Sequence, residues 1–259
     1  MKNQLIAGLL GLAAIIAISS CQREDAKPEE KCYVKRVTGE YDTVEYEYDS
    51  ENRIIKKQYY DANNAKEDYS TWTFTGNKVE ENKFDKSGNL EYKETYLLGS
   101  NGYATTSWVV NEANGYYDTT FYTYDGSGYL IEKRLKEYFG NNDPEPTVTH
   151  WLYTIANGNT VKLLRTTSDG ETLEITEEYS DKKAENIYDA FFSRLTGKHS
   201  VNLISKEWKV YSDSPAKNNS NTVYVFEQDA KGNVVKSTFT YTQANVSQLE
   251  ILNYSYSCK

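Results

Sequence analysis

One phrase recurs along this chain and constrains its fold more than any other feature. It reads Tyr48-Asp49-Ser50-Glu51-Asn52-Arg53-Ile54, then Phe84-Asp85-Lys86-Ser87-Gly88-Asn89-Leu90. It returns as Tyr124-Asp125-Gly126-Ser127-Gly128-Tyr129-Leu130 and as Gln228-Asp229-Ala230-Lys231-Gly232-Asn233-Val234. In each copy an Asp is followed three residues later by Gly or Asn, and two further on by an aliphatic residue. The Asp carboxylate can cap the turn backbone, and Gly or Asn can take the positive φ of a type I turn with a bulge. The phrase therefore predicts a β-hairpin turn. Weaker turn signals fall between the copies, at Gly76-Asn77, Gly99-Ser100-Asn101-Gly102, Asn114-Gly115, Asn157-Gly158-Asn159 and Asp169-Gly170. Spacing of about ten to fourteen residues leaves strands of about six to nine, an antiparallel meander of roughly fourteen to sixteen strands.

Alternation supports strands. Val44-Glu45-Tyr46-Glu47-Tyr48 is apolar on one face and acidic on the other, and Thr71-Trp72-Thr73-Phe74 and Leu173-Glu174-Ile175-Thr176 follow the same rule. Such strands predict one wet and one packed sheet face. The 24 Tyr, single Met and four Pro suit β structure. A sheet this long must curl, split or close. One segment departs from the pattern: in Asn186–Leu195 the residues Ile187, Phe191 and Leu195 fall at helical spacing, Asn186 can cap, Asp189 sits in the first turn and Gly197 follows. The expected fold is all-β, a many-stranded antiparallel meander curled into a barrel-like sheet. One short amphipathic helix near residues 186–196 would lie across an open end, apolar stripe inward.

The N-terminus speaks of address. Lys2 precedes an unbroken apolar-plus-glycine run, Leu5 to Ile18, shaped like a secretory h-region and too short for a permanent membrane span. Ile18-Ser19-Ser20-Cys21 resembles the lipobox of bacterial lipoproteins. The resemblance implies cleavage before Cys21 and lipidation of Cys21, with the outer membrane as partner through its acyl chains. The alternative is an ordinary leader whose cysteine is incidental. Gln22-Arg23-Glu24-Asp25 resembles the surface-export signal of Bacteroidota lipoproteins, which implies display on the outer face of the outer membrane. Residues 22–31 are charged, carry Pro28 and have almost no apolar side chain, so this stretch cannot bury enough surface to fold. The expected organisation is a signal peptide at 1–20, a disordered lipidated tether at 21–31 and a single β domain at 32–259.

Cys32 and Cys258 remain, at opposite ends of the β region. In an exported protein two such cysteines read as a disulfide, the alternative being two free thiols. A bridge would set the first and last strands side by side and favour closure. In the chain-entropy model a loop this long stabilises by roughly 5 kcal/mol.

Without residues 1–20, which carry Lys2 as their one charge, the chain has 28 Lys and Arg against 38 Asp and Glu, a formal charge of −10. That argues against nucleic acid as a partner, whose phosphates need a basic face, and against a polybasic grip on anionic lipid. Lys78-Val79-Glu80-Glu81-Asn82-Lys83 and Glu132-Lys133-Arg134 put charge on both faces of their strands. A membrane-inserted barrel needs an apolar outer band instead. The ending Ser257-Cys258-Lys259 also lacks the terminal aromatic usual in such barrels.

Taken in order, Tyr124–Leu130, Asn157-Gly158-Asn159, Asn186-Ile187-Tyr188-Asp189 and Phe226–Val234 resemble a family of Bacteroidota lipoproteins described as a domain of unknown function with a porin-like fold. These pieces span most of residues 33–257. The Tyr-Asp-x-x-Gly phrase is also similar to YD-repeat shells, whose repeats are more regular. The family resemblance implies a barrel-like antiparallel sheet and brings no catalytic residue with it.

Catalytic motifs are sparse. The two histidines, His150 and His199, lie in no nucleophile or metal motif, and no His-x-x-x-His, Cys-x-x-Cys or Gly-x-Ser-x-Gly occurs. The Asp-bearing turns lack the alternating carboxylates of a calcium loop. No cofactor or metal is expected. Carboxylate pairs for glycoside hydrolysis leave no fixed spacing in sequence, so that chemistry stays among the alternatives.

The aromatics could serve binding. Trp72, Trp108, Tyr116, Tyr122 and Trp151, with Tyr59, Tyr60, Tyr117 and Tyr124, could line a concave face on which sugars stack. The competing reading is that Tyr is simply a good amphipathic strand residue. Asp42-Thr43-Val44 and Asp118-Thr119-Thr120 resemble the O-glycosylation acceptor of Bacteroidota. The expected function is a non-enzymatic surface module that binds a glycan or a protein. The alternatives are a shielding protein without specific ligand and a carboxylate-dependent glycan hydrolase.

Overall fold

The computed structural model describes residues 31–111, 116–139, 145–184, 187, 194–212, 219–244 and 246–258. The leader, Cys21, the export signal and most of the tether fall outside the described residues. The strands in chain order are β1 (Cys32–Thr38), β2 (Asp42–Tyr48), β3 (Ile54–Asp61), β4 (Lys66–Thr75), β5 (Lys78–Phe84), β6 (Leu90–Leu98), β7 (Ala104–Asn111) and β8 (Tyr116–Tyr124). They continue as β9 (Leu130–Phe139), β10 (Thr147–Ala156), β11 (Asn159–Thr167), β12 (Thr172–Lys183), β13 (Asn202–Tyr211), β14 (Ser220–Gln228), β15 (Val234–Gln243) and β16 (Val246–Cys258). Each pairs antiparallel with its chain neighbours, and β1 pairs with β16, so the sheet closes into a 16-strand barrel.

The repeated Asp turn works as its residues dictate. Asp125 Oδ1 accepts the N–H groups of Ser127 and Tyr129, both at 2.9 Å. Gly128 takes φ 91° between them. Asp49, Asp85 and Asp229 repeat the arrangement, with Asn52, Gly88 and Gly232 at positive φ. A further copy lies at Asp61, whose carboxylate accepts from Asn63 and Ala65 around Asn64 at φ 62°.

Closure is fixed covalently where β1 meets β16. Cys32 and Cys258 are register partners joined by a disulfide, with their Cα atoms 4.0 Å apart. Cys32 and Cys258, the two ends of the described barrel, therefore share one end of it with the turns that follow the even-numbered strands.

The same end is crossed by the β12–β13 connection. Lys198 N–H donates to the Gly128 carbonyl at 2.9 Å and Val201 N–H to the Gly158 carbonyl at 3.0 Å. Ile187, 2% exposed, packs in a cluster with Val34, Val37, Tyr46, Leu203, Val234 and Tyr254. Leu195, 8% exposed, packs in a second cluster with Val79, Tyr96 and Ala104. Two residues of the expected apolar stripe thus point inward, onto different walls. Of the expected helix, residues 186 and 188–193 lie outside the described residues. Its described end is one 3-10 turn, Arg194–Thr196, halted by Gly197 at φ 101°. A Cβ on Gly197 would come within 2.7 Å of Tyr124 Cε1.

Candidate functional site

Strand alternation sorts every side chain. Residues in register with the clustered Tyr46, Val79 and Tyr96 face the lumen, and their chain neighbours face out. The expectation of one wet and one packed face needs correcting here. The lumen is packed near the termini, around the two clusters, but elsewhere it carries charge. One register row runs Trp72, Glu81, Glu94, Val109, Asp118, Glu137 across β4 to β9. Barrels of 16 or more strands can leave interior space that side chains do not fill.

These acids are spaced by aromatics and lysines. Tyr116 Oη lies 3.0 Å from Asp118 Oδ2 and 3.1 Å from Glu137 Oε1, one phenolic proton between two carboxylates. Burial pushes Glu81 up from the usual carboxylate range, reinforced by the charge of Glu94, and burial does the same to Glu94 and Asp118. Lys57 stands 5.5 Å from the Trp72 ring centre and Lys133 4.7 Å from that of Trp151. Burial lowers both ammonium groups, against the opposing pull of Glu81 on Lys57 and of Glu94 and Asp118 on Lys133. In the adjacent row Tyr122, Lys133, Trp151 and Arg165 are consecutive register partners on β8 to β11. Tyr122 Oη is 3.0 Å from Ser107 Oγ.

Four of the five aromatics singled out from sequence thus share the lumen wall: Trp72, Tyr116, Tyr122 and Trp151. Tyr122 and Trp151 flank Lys133, while Trp72 stands at the other end of the carboxylate row. Trp108 is on the convex face, in register with Thr95 and Thr119, and lines no concavity with the others. Tyr60 and Tyr117 also face outward; Tyr60 Oη donates to Glu45 at 2.9 Å. His150 is on the outer wall, 2.8 Å from Glu132. Thr43 is only 7% exposed, which shields it from modification in the folded barrel.

Two solved structures share this architecture. A porin-like protein from Bacteroides uniformis aligns with TM-score 0.61 at 16% identity, covering 86% of this chain and 96% of that one. A porin-like protein from Bacteroides vulgatus aligns with TM-score 0.59 at 13% identity, covering 87% and 99%. The fold is a porin-like barrel. No protein-family model matches the chain, and no curated protein matches it.

The outer wall of this porin-like barrel is built differently from its lumen. Opposite charges face each other across neighbouring strands: Arg36 and Glu45 at 3.1 Å, Lys56 and Glu47 at 3.5 Å, Lys93 and Glu80 at 2.7 Å. Lys162 and Glu174 meet at 2.8 Å and Lys236 and Glu227 at 2.7 Å. Exposed aliphatic residues on this wall include Leu97, Val110, Leu152, Val210, Val223, Val225, Leu249 and Ile251. They share the wall with these ion pairs, whereas a lipid-facing band is continuous and apolar. Inside, acidic side chains face each other: Glu81 and Glu94, Asp118 and Glu137, Glu177 and Glu207 are direct register partners. Such pairs destabilise a sheet.

Sequence reasoning missed these lumen acids. Glu80 and Glu81 are adjacent, and only register tells which one faces in. The lone signal was the charge on both faces of β5 and β9.

Proposed function

We propose that this chain is a non-enzymatic, water-bathed surface barrel that takes a glycan or a protein segment into its lumen. The observation that carries the reading is the contrast between the two faces. Outside, charges are paired for stability in water. Inside, carboxylates oppose each other beside aromatic rings, an arrangement that costs stability and gains purpose from a ligand rich in hydroxyl donors. Trp151 with Tyr122, and Trp72 with Glu81, are the platforms on which a sugar face would stack. Lipidation at Cys21 and export through Gln22, Arg23, Glu24 and Asp25 would hold the barrel on the outer membrane by its termini end, outside the bilayer. Its charge then leaves the acyl chains as the membrane contact.

The test is a glycan and host-protein array probed with wild type, Trp151→Ala, Trp72→Ala and Trp108→Ala. A hit that both lumen variants weaken by about tenfold, and that Trp108→Ala leaves unchanged, supports lumen binding. No hit on either array would defeat it and leave a shielding role. The facing carboxylate pairs also keep hydrolysis in view; a bound glycan recovered intact after long incubation excludes it. Protease shaving of intact cells should remove the protein, and survival until permeabilisation would contradict surface display.

A further inference from the structure

The lumen acids on β12 and β13 are separate from the row described above and sit where the β12–β13 connection returns to the wall. Tyr179 is their hub. Its Oη lies 2.8 Å from the Thr160 carbonyl on β11, 2.9 Å from Ser200 Oγ on the connection, and in hydrogen-bond contact with Glu177 Oε2. Ser200 Oγ in turn accepts the Thr160 N–H at 3.0 Å. A phenol has one proton, and a carbonyl can only accept. If Tyr179 donates to Thr160, its contact with Glu177 must be donated by Glu177 as a carboxylic acid. Were Glu177 ionised, that one proton would have to choose. Either the carbonyl or the carboxylate would then face the phenol oxygen lone pair to lone pair.

We propose that Glu177 carries the proton that closes a latch between β11, β12 and the return limb of the connection, Leu195–Val201, and that the latch opens when this proton is lost.

The surroundings favour the neutral acid. Across the seam Glu207 faces Glu177 in register, and Lys209 is engaged with Glu207 at 2.9 Å. From β14, Tyr224 looks onto both acids, its hydroxyl pushed up to about 12, by burial first and then by the charges of Glu207 and Glu177. On β11, Lys162 points outward to Glu174. On the connection, the imidazole of His199 directly precedes Ser200. Burial, reinforced by Glu207, holds the Glu177 carboxyl at about 7 against the opposing pull of its hydrogen bond with Tyr179 and of Lys209. The folded chain therefore keeps, between pH 4.5 and about 7, a proton that the unfolded chain releases. Its contribution to stability is complete at the acid end of that window and fades as pH rises through it.

Hydrogen exchange read by mass spectrometry on the full chain tests this, following the peptide over residues 195–204 at about pH 6 and about pH 8, corrected for intrinsic exchange. Wild type should lose about tenfold in protection at the higher pH, equivalent to one pKa unit of differential interaction. Glu177→Gln keeps a donor for Tyr179 and should be protected at both pH values. Tyr179→Phe removes the hub and should be poorly protected at both. His199→Gln should behave as wild type. Equal wild-type protection at the two pH values would overturn the latch. So would a fall in Glu177→Gln that matches wild type, or loss of the effect in His199→Gln.

Discussion

At the scale of single residues, the Asp turns show how little chemistry is needed to reverse a strand. Asp125 supplies one oxygen for two N–H groups, and Gly128 supplies the backbone conformation that a side chain would strain. A Cβ on Gly128 would also meet Tyr103 Cε2 at 2.9 Å. Asp125→Ala should lower unfolding free energy by about 1–2 kcal/mol, because two turn N–H groups lose their acceptor. Asp125→Asn keeps an acceptor and should cost less than half as much. Urea denaturation of both variants reads this, and equal losses would mean the carboxylate acts by charge and not as a cap. Four copies of this turn were legible because the Asp, the Gly or Asn and the aliphatic residue stand in fixed order. The fifth, at Asp61, was not, because Ala65 and Lys66 stand in place of the aliphatic signal.

Among elements, the β12–β13 connection reaches the interior through Ile187 and Leu195. It carries apolar side chains into two clusters on different walls, so it ties together strands far apart around the ring. Ile187→Ala should cost about 2–5 kcal/mol, the usual range for emptying a well-packed aliphatic site. A thermal melt showing no loss would place Ile187 outside the load path of the barrel. The inward direction of Ile187 and Leu195 was readable from their spacing. Which strand residues face the lumen was legible only where polarity alternates. Val44-Glu45-Tyr46-Glu47-Tyr48 announces its faces, whereas Thr105-Thr106-Ser107-Trp108-Val109-Val110 offers no alternation. A slip of one residue there exchanges the two faces. Trp108, singled out as an aromatic that could line a concave face, stands on the outer wall.

For the whole molecule, strand number and closure were foreshadowed by turn spacing and by Cys32 and Cys258. The charge pattern of the finished cylinder was not, because it depends on sixteen strand registers at once. Closure turns each strand's two faces into an inside and an outside, and the two then differ in kind. Oppositely charged neighbours outside make the wall compatible with water over strands that a pore would bury in lipid. The facing acids inside are a cost that the proposed occupant of the lumen would offset. The central proposal is that water would bathe both faces with the protein anchored to its membrane. Hydroxyl-radical footprinting of the full chain in native outer membranes tests it directly, reading Tyr117, Leu152, Trp208 and Val225 on the outer wall. The account predicts labelling of all four as strong in membranes as in the membrane-free protein. A band of protection across these outer-wall residues, with the lumen still labelled, would show a barrel embedded in lipid and contradict it.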